Sequence, residues 1–489
     1  MSELRLMLPE LVLFGWAMLL LLYGISRKEP GGNTLIYLSM LGIVVTGFAI
    51  PIVGFGTAFG GVFVVDKMAV FFKMIFLGAA FFAVASSSNL MQKLKTDRGE
   101  FFTLVLLSTV GMMFLTSSGE LITLYVALEL TTIPLFVLAA YRKDSLQSSE
   151  AGLKYLILGA ASSAILLFGM SMIYGLTGST FLEIAFGRNL EQSLGMLTLT
   201  NEINMGLAIG MIMMIAGFGF KLALVPFHMW APDVYEGAPT PVTSFLSVAS
   251  KGAGVAAFAR VFYSVLPSFS DYWWGIIVAV LAAAAMIVGN ITAVMQSNVK
   301  RMLAYSSIAH AGYLLIGFVS IPAGVNDTAY GPASIMFYML AYLFANMGAF
   351  ACAIAFANNY GSYEIKDYQG LSKESPALSI VFMIFLLSLA GIPPMVGFFA
   401  KYYIFLAGWP KYSWLVIIGI LTSVVALFYY ANIIKQMYFN RTESALTKAK
   451  FDTPLVITLV LSVAGTILFG IFPESVIKFA VSAFDAFPF

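Results

Sequence analysis

The chain has 489 residues, of which 60% are hydrophobic and only 10% are charged, and its formal net charge is +2. A soluble globular protein has about 25% charged residues, so this composition predicts an integral membrane protein, and the near-zero net charge argues against a nucleic-acid partner. The chain contains one cysteine, Cys352, and two histidines. These are too few for a disulfide framework, a cysteine-based metal or redox site, or a haem-bearing membrane enzyme, so we expect no electron-transfer centre and no metal site in this chain.

Fourteen segments contain the roughly 20 apolar residues that a helix needs to cross the hydrocarbon core. In chain order they are approximately 7–25, 34–54, 68–90, 101–118, 120–140, 147–175, 203–227, 240–264, 273–295, 301–320, 332–357, 376–408, 414–438 and 454–472. We expect the first segment to be retained, since it lacks a small-residue cleavage site. The longest polar stretch, 176–202, is predicted to be a loop or a short surface helix. The sequence therefore predicts an all-α polytopic membrane protein of 14 transmembrane helices.

The Lys and Arg residues of the predicted loops are distributed asymmetrically. With the N-terminus outside, the loops on the inner side hold fourteen of them and the loops on the outer side five. Because inner loops of membrane proteins are enriched in Lys and Arg, this bias predicts that both termini lie on the outer side. We expect a multi-pass protein of the bacterial inner membrane, with periplasmic termini.

Charged side chains fall within four successive predicted spans: Glu129, Lys154, Lys221 and Lys251. A charge near the bilayer centre costs about 2.5–3.5 kcal/mol on insertion scales, so it usually faces the bundle interior or a water path. Glu129 lies fifteen residues before Asp144, at the centre of the intervening turn, and Lys154 lies ten residues after it. This spacing places the two groups at comparable depth and predicts an ion pair. Lys154 alone could extend to the membrane surface, as we expect Lys73 to do.

Prolines interrupt one predicted span in each half of the chain. Pro226 has no N–H to donate to the carbonyl of Leu222, and Pro393 and Pro394 have the same effect in the second half. Such a pair of interrupted spans is typical of inverted-repeat transporters, and the breaks are 393 − 226 = 167 residues apart. The predicted organisation is an N-terminal three-helix segment at 1–100, a first five-helix repeat at 101–264, a second five-helix repeat at 273–438 and a C-terminal helix at 454–489.

Three further polar groups accompany the second half and the first break. Lys401 follows the second break, and lies roughly mid-span if that broken helix is one unit. His310 shares a helical face with Ser306 and Tyr313, and it is either a proton relay or a packing residue, since histidine titrates near neutral pH. His228 lies just after Pro226, where a relay role and a structural hydrogen bond both remain open. A polar line on the span 332–357 is predicted to make helix–helix hydrogen bonds: Tyr338, Tyr342 and Asn346.

Three long motifs carry a resemblance to a known family. They are FKLALVPFHMWAPDVYEGAPTPVTSFLS at 220–247, NVKRMLAYSSIAHAGYLLIGF at 298–318 and LSLAGIPPMVGFFAKYYIF at 387–405. Together with Glu129 followed by Lys154, they resemble the antiporter-like membrane subunits of respiratory complex I, and among these the subunit N (ND2-type) family. The resemblance extends over nearly the whole chain.

The resemblance implies fourteen spans, two inverted repeats and redox-driven proton pumping along a charged axis in the middle of the membrane. Lys221 would be the central proton carrier and Glu129–Lys154 a switchable ion pair. No cofactor is expected in this chain, because NAD, FMN, iron–sulfur clusters and quinone belong to other subunits of such complexes. The expected partners are further antiporter-like subunits, the small subunits leading to the quinone site, and membrane lipids. The implied proton-transfer residues are Glu129, Lys154, Lys221, Lys251 and Lys401, with His228 and His310 as accessory groups.

Three alternatives remain open at this point. The chain could be a subunit of a multi-subunit cation/proton antiporter, which shares this fold and these lysines, although the motif details and the lack of an extra C-terminal domain argue against it. It could be the N-type subunit of a ferredoxin-fed or light-driven relative of complex I. It could also be a membrane scaffold without transport.

Overall fold

A computed structural model describes residues 2–26, 32–94, 98–182, 205–265, 273–320, 330–440 and 450–484. Most of these residues are helical, and thirteen of the described helices are long and apolar enough to cross a membrane. This confirms the all-α polytopic membrane architecture. Most of the polar stretch at 176–202 lies outside the described residues, as do several of the loop residues that predict the orientation.

The N-terminal part contains the helices α1 (Ser2–Leu6), α2 (Leu8–Ser26), α3 (Gly32–Val53), α4 (Lys67–Ala85) and α5 (Ser88–Lys93), with strands β1 (Gly56–Ala58) and β2 (Phe63–Val65) between α3 and α4. The next group is α6 (Arg98–Thr116), α7 (Leu121–Ala139), α8 (Leu146–Thr177), α9 (Met205–Leu222), α10 (Trp230–Gly237), α11 (Thr240–Phe245) and, after a π-helical turn at Leu246–Ser250, α12 (Lys251–Val265). The remaining helices are α13 (Trp273–Val294), α14 (Val299–Val319), α15 (Tyr330–Tyr360), α16 (Leu371–Glu374), α17 (Pro376–Ala390), α18 (Val396–Tyr438), α19 (Thr453–Ile471) and α20 (Pro473–Phe484), with a 3-10 turn at Ile365–Tyr368.

The observed helices differ from the fourteen predicted segments in the region 376–438. The sequence predicts separate spans at 376–408 and 414–438, whereas the structure has the shorter helix α17 and then one helical run of 43 residues, α18. This run is kinked at Tyr412, whose backbone is non-helical, two residues after Pro410. A proline within a helix removes a hydrogen bond and bends the helix without ending it here.

A small β-hairpin between α3 and α4 is not predicted by the sequence analysis. Ala58 pairs with Phe63 in an antiparallel register, and the turn contains Gly60 and Gly61, both with the positive φ that glycine adopts readily. The hairpin is held to the end of α6, since the Val64 amide donates to the Ser117 carbonyl at 2.7 Å. Strands of three residues are too short to produce a recognisable alternation of apolar and polar residues.

Both predicted helix breaks are present, and side chains bind backbone carbonyls beside them. The first begins at Leu222, five residues before the predicted end of the span, and the Trp230 indole donates to the carbonyl of Phe220 at 2.9 Å. The second lies between α17 and α18, where the ammonium of Lys401 donates to the carbonyl of Ala390 at 2.8 Å. Such contacts allow irregular backbone at membrane depth.

The prediction that Lys73 extends to the membrane surface is wrong. Its side chain on α4 is 1% exposed, and its Nζ lies 2.7 Å from Oε1 of Glu10, which is 0% exposed on α2. The ammonium also lies 5.0 Å from the centre of the Phe63 ring. The sequence showed the depth of Lys73 along its own helix, but it did not show that an acidic residue near the start of another span would face it.

Removing one partner of this buried pair should destabilise the protein strongly. Lys73→Met leaves the Glu10 carboxylate buried without its counter-ion, which typically costs about 3–5 kcal/mol. We expect the double variant Glu10→Leu/Lys73→Met to recover most of this loss, because it removes both charges. The measurement is the denaturant midpoint of the purified protein in detergent micelles.

The matched control is the pair Lys478–Glu474, which has the same 2.7 Å separation but side chains that are 73% and 75% exposed. Exposed pairs contribute little to stability, so Lys478→Met should leave the midpoint unchanged. Equal shifts for Lys73→Met and Lys478→Met would contradict the prediction.

Candidate functional site

Lys221 is buried at the end of α9, one residue before the first helix break. Its Nζ donates a 2.7 Å hydrogen bond to the hydroxyl of Thr132 on α7. A small cavity beside the two residues, lined also by Ser162 of α8, leaves about 10 Å³ for the centre of a water molecule, which is room for about one water. The cation therefore lies in the bundle interior, as the sequence predicts, and its direct partner is a neutral oxygen.

Glu129 lies on the same helix as Thr132, three residues earlier, and therefore on the same face. Its carboxylate interacts electrostatically with the ammonium of Lys221 and the phenol of Tyr125. Oε1 of Glu129 is buried and has no hydrogen-bond partner among the described residues. Glu129 and Lys221 thus interact electrostatically, without a hydrogen bond or ion pair between these two described residues.

The predicted Glu129–Lys154 ion pair is not formed between these two described residues. Nζ of Lys154 instead lies 2.6 Å from Oδ2 of Asp233 on α10 and 2.7 Å from Oε1 of Glu150 on its own helix, and the lysine side chain is 41% exposed. The two residues do lie at comparable depth, as predicted. Lys154 lies eight residues into α8 and Glu129 ten residues before the end of α7, about 12 Å and 15 Å from the turn at 1.5 Å per residue. The rotation of α8 about its own axis determines that Lys154 contacts Asp233 and not Glu129.

Two glycines fix that rotation. A methyl group on Gly152 would lie 2.4 Å from Cβ of Ala140, and one on Gly159 would lie 2.5 Å from the Phe136 ring. The glycine face of α8 is therefore packed against α7 too closely for a lysine side chain. Lys154 lies on another face, toward α10.

A charged cluster at this end of the bundle includes residues that the sequence analysis missed. Nη1 of Arg301, at the start of α14, lies 3.1 Å from Oδ1 of Asp233 and 2.7 Å from Oε2 of Glu236. Partial burial raises the pKa of Asp233, but hydrogen bonds from Lys154 and Arg301 outweigh it and leave that pKa below its usual range. The carboxylate is therefore ionised at neutral pH. Two features of the sequence could have indicated this cluster. Asp233 and Glu236 are three residues apart and share a helical face, and the basic pair Lys300–Arg301 could neutralise them.

Lys251 is buried where the π-helical turn ends and α12 begins. Its Nζ donates to the carbonyl of Ser307 on α14 at 2.6 Å. The same helix packs against Lys221, since a methyl group on Gly254, three residues further along α12, would lie 3.1 Å from Cγ of Lys221. The Ser247 hydroxyl, on the same predicted face, accepts a hydrogen bond from Asn346 of α15 at 2.7 Å.

His310 lies in a network of hydroxyl groups in the interior of the second half. Its Nδ1 is 2.5 Å from the hydroxyl of Tyr338 on α15, and its Nε2 is 3.4 Å from the hydroxyl of Tyr430 on α18. Tyr430 is in turn hydrogen-bonded to the Ser306 hydroxyl. Tyr338 and Asn346 therefore make the helix–helix hydrogen bonds that the sequence predicts.

Lys401 is buried near the start of α18, just after the second break. Its Nζ donates to the carbonyl of Ala390 and to the hydroxyl of Ser423, both at 2.8 Å, and it lies 5.3 Å from the centre of the Tyr313 ring. A cavity lined by both Lys401 and His310 leaves about 10 Å³ for the centre of a water molecule. The two groups thus face a common space that admits about one water.

His228 lies in the segment between α9 and α10 and is half-buried. Its Nδ1 is buried and has no hydrogen-bond partner within the described ranges. None of the described hydrogen bonds or ion pairs connects it to the buried lysines or to His310. Its predicted role stays a prediction.

Comparison with known proteins places this geometry in a family. A sequence model of the family described as "NADH:quinone oxidoreductase/Mrp antiporter, TM" matches residues 118–427. A NADH-quinone oxidoreductase subunit N from Moorella thermoacetica is 41% identical over 487 residues, which cover 99% of this chain and 98% of the relative. The chain belongs to the NADH-quinone oxidoreductase subunit N family. A second member, from Trichlorobacter lovleyi, is 43% identical over 491 residues, covering 98% of this chain and 97% of the relative.

Solved structures with the fold of this subunit N family member include chains of respiratory complex I and of an Mrp complex. A chain of respiratory complex I from Thermus thermophilus is 28% identical, with a TM-score of 0.78 over 97% of this chain and 99% of that one. A chain of the Mrp complex from a Dietzia species is 19% identical, with a TM-score of 0.80 over 97% of this chain and 96% of that one. At that identity, the second likeness concerns the fold alone.

The second break of this subunit N family member should depend on a glycine. Gly391, with φ +88°, ends α17, and a methyl group there would lie 2.9 Å from Cδ of Lys401. Gly391→Ala therefore adds two penalties: a strained backbone of about 1 kcal/mol or more and displacement of Lys401 from its acceptors. We expect a lower denaturant midpoint in detergent micelles than for an alanine that introduces the backbone strain alone.

Gly361→Ala is that control, because Gly361 has φ +75° and nothing within 4 Å of the added methyl group. In a Lys401→Ala background the difference between the two glycine variants should shrink, since the side-chain atoms that the added methyl group meets are gone. The prediction is contradicted if the two alanines have equal effects in the unmodified chain.

Proposed function

We propose that this chain is the proton-translocating membrane subunit of an NADH:quinone oxidoreductase (complex I), and that redox chemistry in other subunits drives proton movement through it. The observation that carries this proposal is the position of three buried lysines, Lys221, Lys251 and Lys401, in the interior of a bundle of the subunit N family. Each hydrogen-bonds to uncharged oxygens. A buried ammonium without a directly bonded carboxylate is easily deprotonated, which is the property that a proton carrier needs.

The proposal includes the finer architecture implied by the sequence. The two parts of α18 on either side of Tyr412 would cross the membrane separately, giving fourteen spans. The two breaks support inverted five-helix repeats at 101–264 and 273–438, between a three-helix segment at 1–100 and a C-terminal helix at 454–489. The protein would lie in the bacterial inner membrane with both termini on the periplasmic side, as the distribution of basic loop residues indicates.

Proton transfer would follow the buried axis from the first half to the second. The Thr132 hydroxyl and the Glu129 carboxylate stabilise the protonated form of Lys221. Lys251 is the next acceptor, because its helix packs against the Lys221 side chain. From there the network around His310 leads to the space shared with Lys401. Each step would pass a proton between nitrogen or oxygen atoms of these buried groups.

The partners follow from this assignment. NADH oxidation and quinone reduction, with NAD, FMN, iron–sulfur clusters and quinone, would belong to other subunits. The large exposed apolar surface of the spanning helices would contact further antiporter-like subunits, the small subunits that lead to the quinone site, and membrane lipids. A cation/proton antiporter subunit remains the alternative, and it is supported by the family description, which names both kinds of complex, and by the likeness in fold to the Mrp complex.

Lys221→Arg tests whether Lys221 carries protons or only provides charge. Arginine retains a positive charge but does not deprotonate in proteins. We therefore expect both Lys221→Arg and Lys221→Ala to lower NADH-driven proton translocation in inverted membrane vesicles by about tenfold or more, as expected when a step in the transfer chain is removed. Lys478→Ala, at an exposed lysine, is the control and should pump at the wild-type rate.

The outcomes separate the proposal from its rivals. If Lys221→Arg pumps at the wild-type rate and Lys221→Ala does not, Lys221 provides only a positive charge and is not a proton carrier. Wild-type pumping by both variants in the assembled complex would leave a scaffold without transport.

A further inference from the structure

The carboxylate of Asp233 contacts cations from two helices that belong to different predicted repeats. Oδ2 lies 2.6 Å from Nζ of Lys154 on α8, in the first repeat, and Oδ1 lies 3.1 Å from Nη1 of Arg301 on α14, in the second. Two neighbouring carboxylates each contact only one of these cations: Glu150 contacts Lys154 and Glu236 contacts Arg301, both at 2.7 Å. Among the carboxylates of these described ion pairs, Asp233 is the one that contacts two cations.

The helix that carries Asp233 is held from both sides. α10 packs against α8 and α14, and its last turn is fixed by Lys300 of α14, whose Nζ donates to the carbonyls of Glu236 at 2.5 Å and Ala238 at 2.8 Å. Cations at a helix C-terminus also interact favourably with the helix dipole. On the first-repeat side, the Trp230 ring at the start of α10 stacks on Tyr155 of α8, with ring centres 4.6 Å apart. α10 is therefore a short rigid element between the two halves.

α14 leads from this cluster directly to the buried axis. Arg301 is at its first turn, the Ser307 carbonyl in its middle accepts the hydrogen bond from Lys251, and His310 follows one turn later. A straight helix transmits a shift at one end along its length, because packed helices move as rigid units. If the contacts of Arg301 change and α14 shifts, the Ser307 carbonyl that accepts the hydrogen bond from Lys251 therefore shifts with it.

Lys154 is more exposed than Arg301, the other cation that Asp233 contacts. Its side chain is 41% exposed, against 30% for Arg301, and its ammonium also contacts Glu150 on the same helix, at i−4. Because two carboxylates and solvent surround it, it remains protonated. A charge on a neighbouring subunit can act on this exposed ammonium and draw it away from Asp233.

We propose that Asp233 is a positioning residue that couples the two halves of the chain. It holds Lys154 and Arg301 together, and it holds Arg301 alone when a charge on a neighbouring subunit draws Lys154 away. The switchable ion pair is then Lys154–Asp233, and its effect is conveyed to Lys251 by a shift of α14. This inference rests on the proposed function and adds to it the residue through which the state of one half reaches the other.

The test compares the shared carboxylate with the two that are not shared. Asp233→Asn removes the bridge, and the double variant Glu150→Gln/Glu236→Gln removes two carboxylates from the same cluster but leaves the bridge intact. Asp233→Glu restores a carboxylate that is long enough to reach both cations. The complex is reconstituted in liposomes, NADH oxidation and proton uptake are measured together, and assembly is checked by native gel electrophoresis.

We expect Asp233→Asn to lower the number of protons translocated per NADH by about fivefold or more, which is the lower end of coupling factors between linked sites. The double glutamine variant should keep the wild-type ratio, and Asp233→Glu should recover most of it. The proposal is overturned if Asp233→Asn keeps the wild-type ratio or if the double glutamine variant falls as far.

Two further variants keep the proposal testable if Asp233→Asn does not assemble. Arg301→Gln breaks the bridge from the second repeat, and Glu236→Gln is its control because it removes only the other contact of that arginine. Lys154→Gln/Arg301→Gln should be no worse than the more impaired single variant, since both changes break one linkage. If the loss in the double variant equals the product of the losses in the two single variants, the two residues act independently and the coupling is refuted. Lys221→Ala, measured in parallel, separates the two proposals: if it pumps normally, the proposed function itself fails, whatever Asp233 does.

Discussion

The ammonium group of a lysine buried in a membrane protein must be surrounded by oxygen atoms, and the kind of oxygen determines what the lysine can do. The three axis lysines are bound by neutral acceptors, whereas Lys73 and Arg260 are bound by the carboxylates of Glu10 and Asp66, at 2.7 Å and 2.5 Å. A carboxylate stabilises the charged form and fixes it; a hydroxyl or carbonyl satisfies the hydrogen bond and leaves the proton removable. The neutral acceptors are the Thr132 hydroxyl for Lys221, the Ser307 carbonyl for Lys251, and the Ala390 carbonyl with the Ser423 hydroxyl for Lys401.

The helix breaks are part of the same arrangement. An intact helix has no free carbonyl in its interior, because each one accepts a bond from the residue four positions later. Ending α17 at Ala390 releases such a carbonyl inside the protein, and Lys401 binds it. At the first break, the Trp230 indole donates to the carbonyl of Phe220, which also accepts from the Ala223 amide, and this bond orients the helix that carries Asp233. Backbone irregularity thus provides a lysine acceptor at one break and a rigid connector at the other.

Residue chemistry predicts those features of this chain that depend on one helix at a time. The apolar lengths gave the spanning helices, Pro226 and Pro393–Pro394 gave the breaks, and the cost of a buried charge identified Lys221. Partners across the bundle depend on helix rotation, which sequence spacing does not contain. The expectations for Lys154 and Lys73 were wrong for this reason: Gly152 and Gly159 rotate Lys154 away from α7, and Glu10 comes from a helix more than fifty residues earlier.

The two small cavities beside the axis have an electrical consequence. Each admits about one water, far from the continuous file of waters that would conduct protons freely. A membrane potential of 100 mV drives each elementary charge with about 2.3 kcal/mol, so a permanently wet path through this chain would discharge the gradient it helps to build. Among the described residues, these two cavities are each too small to provide such a path.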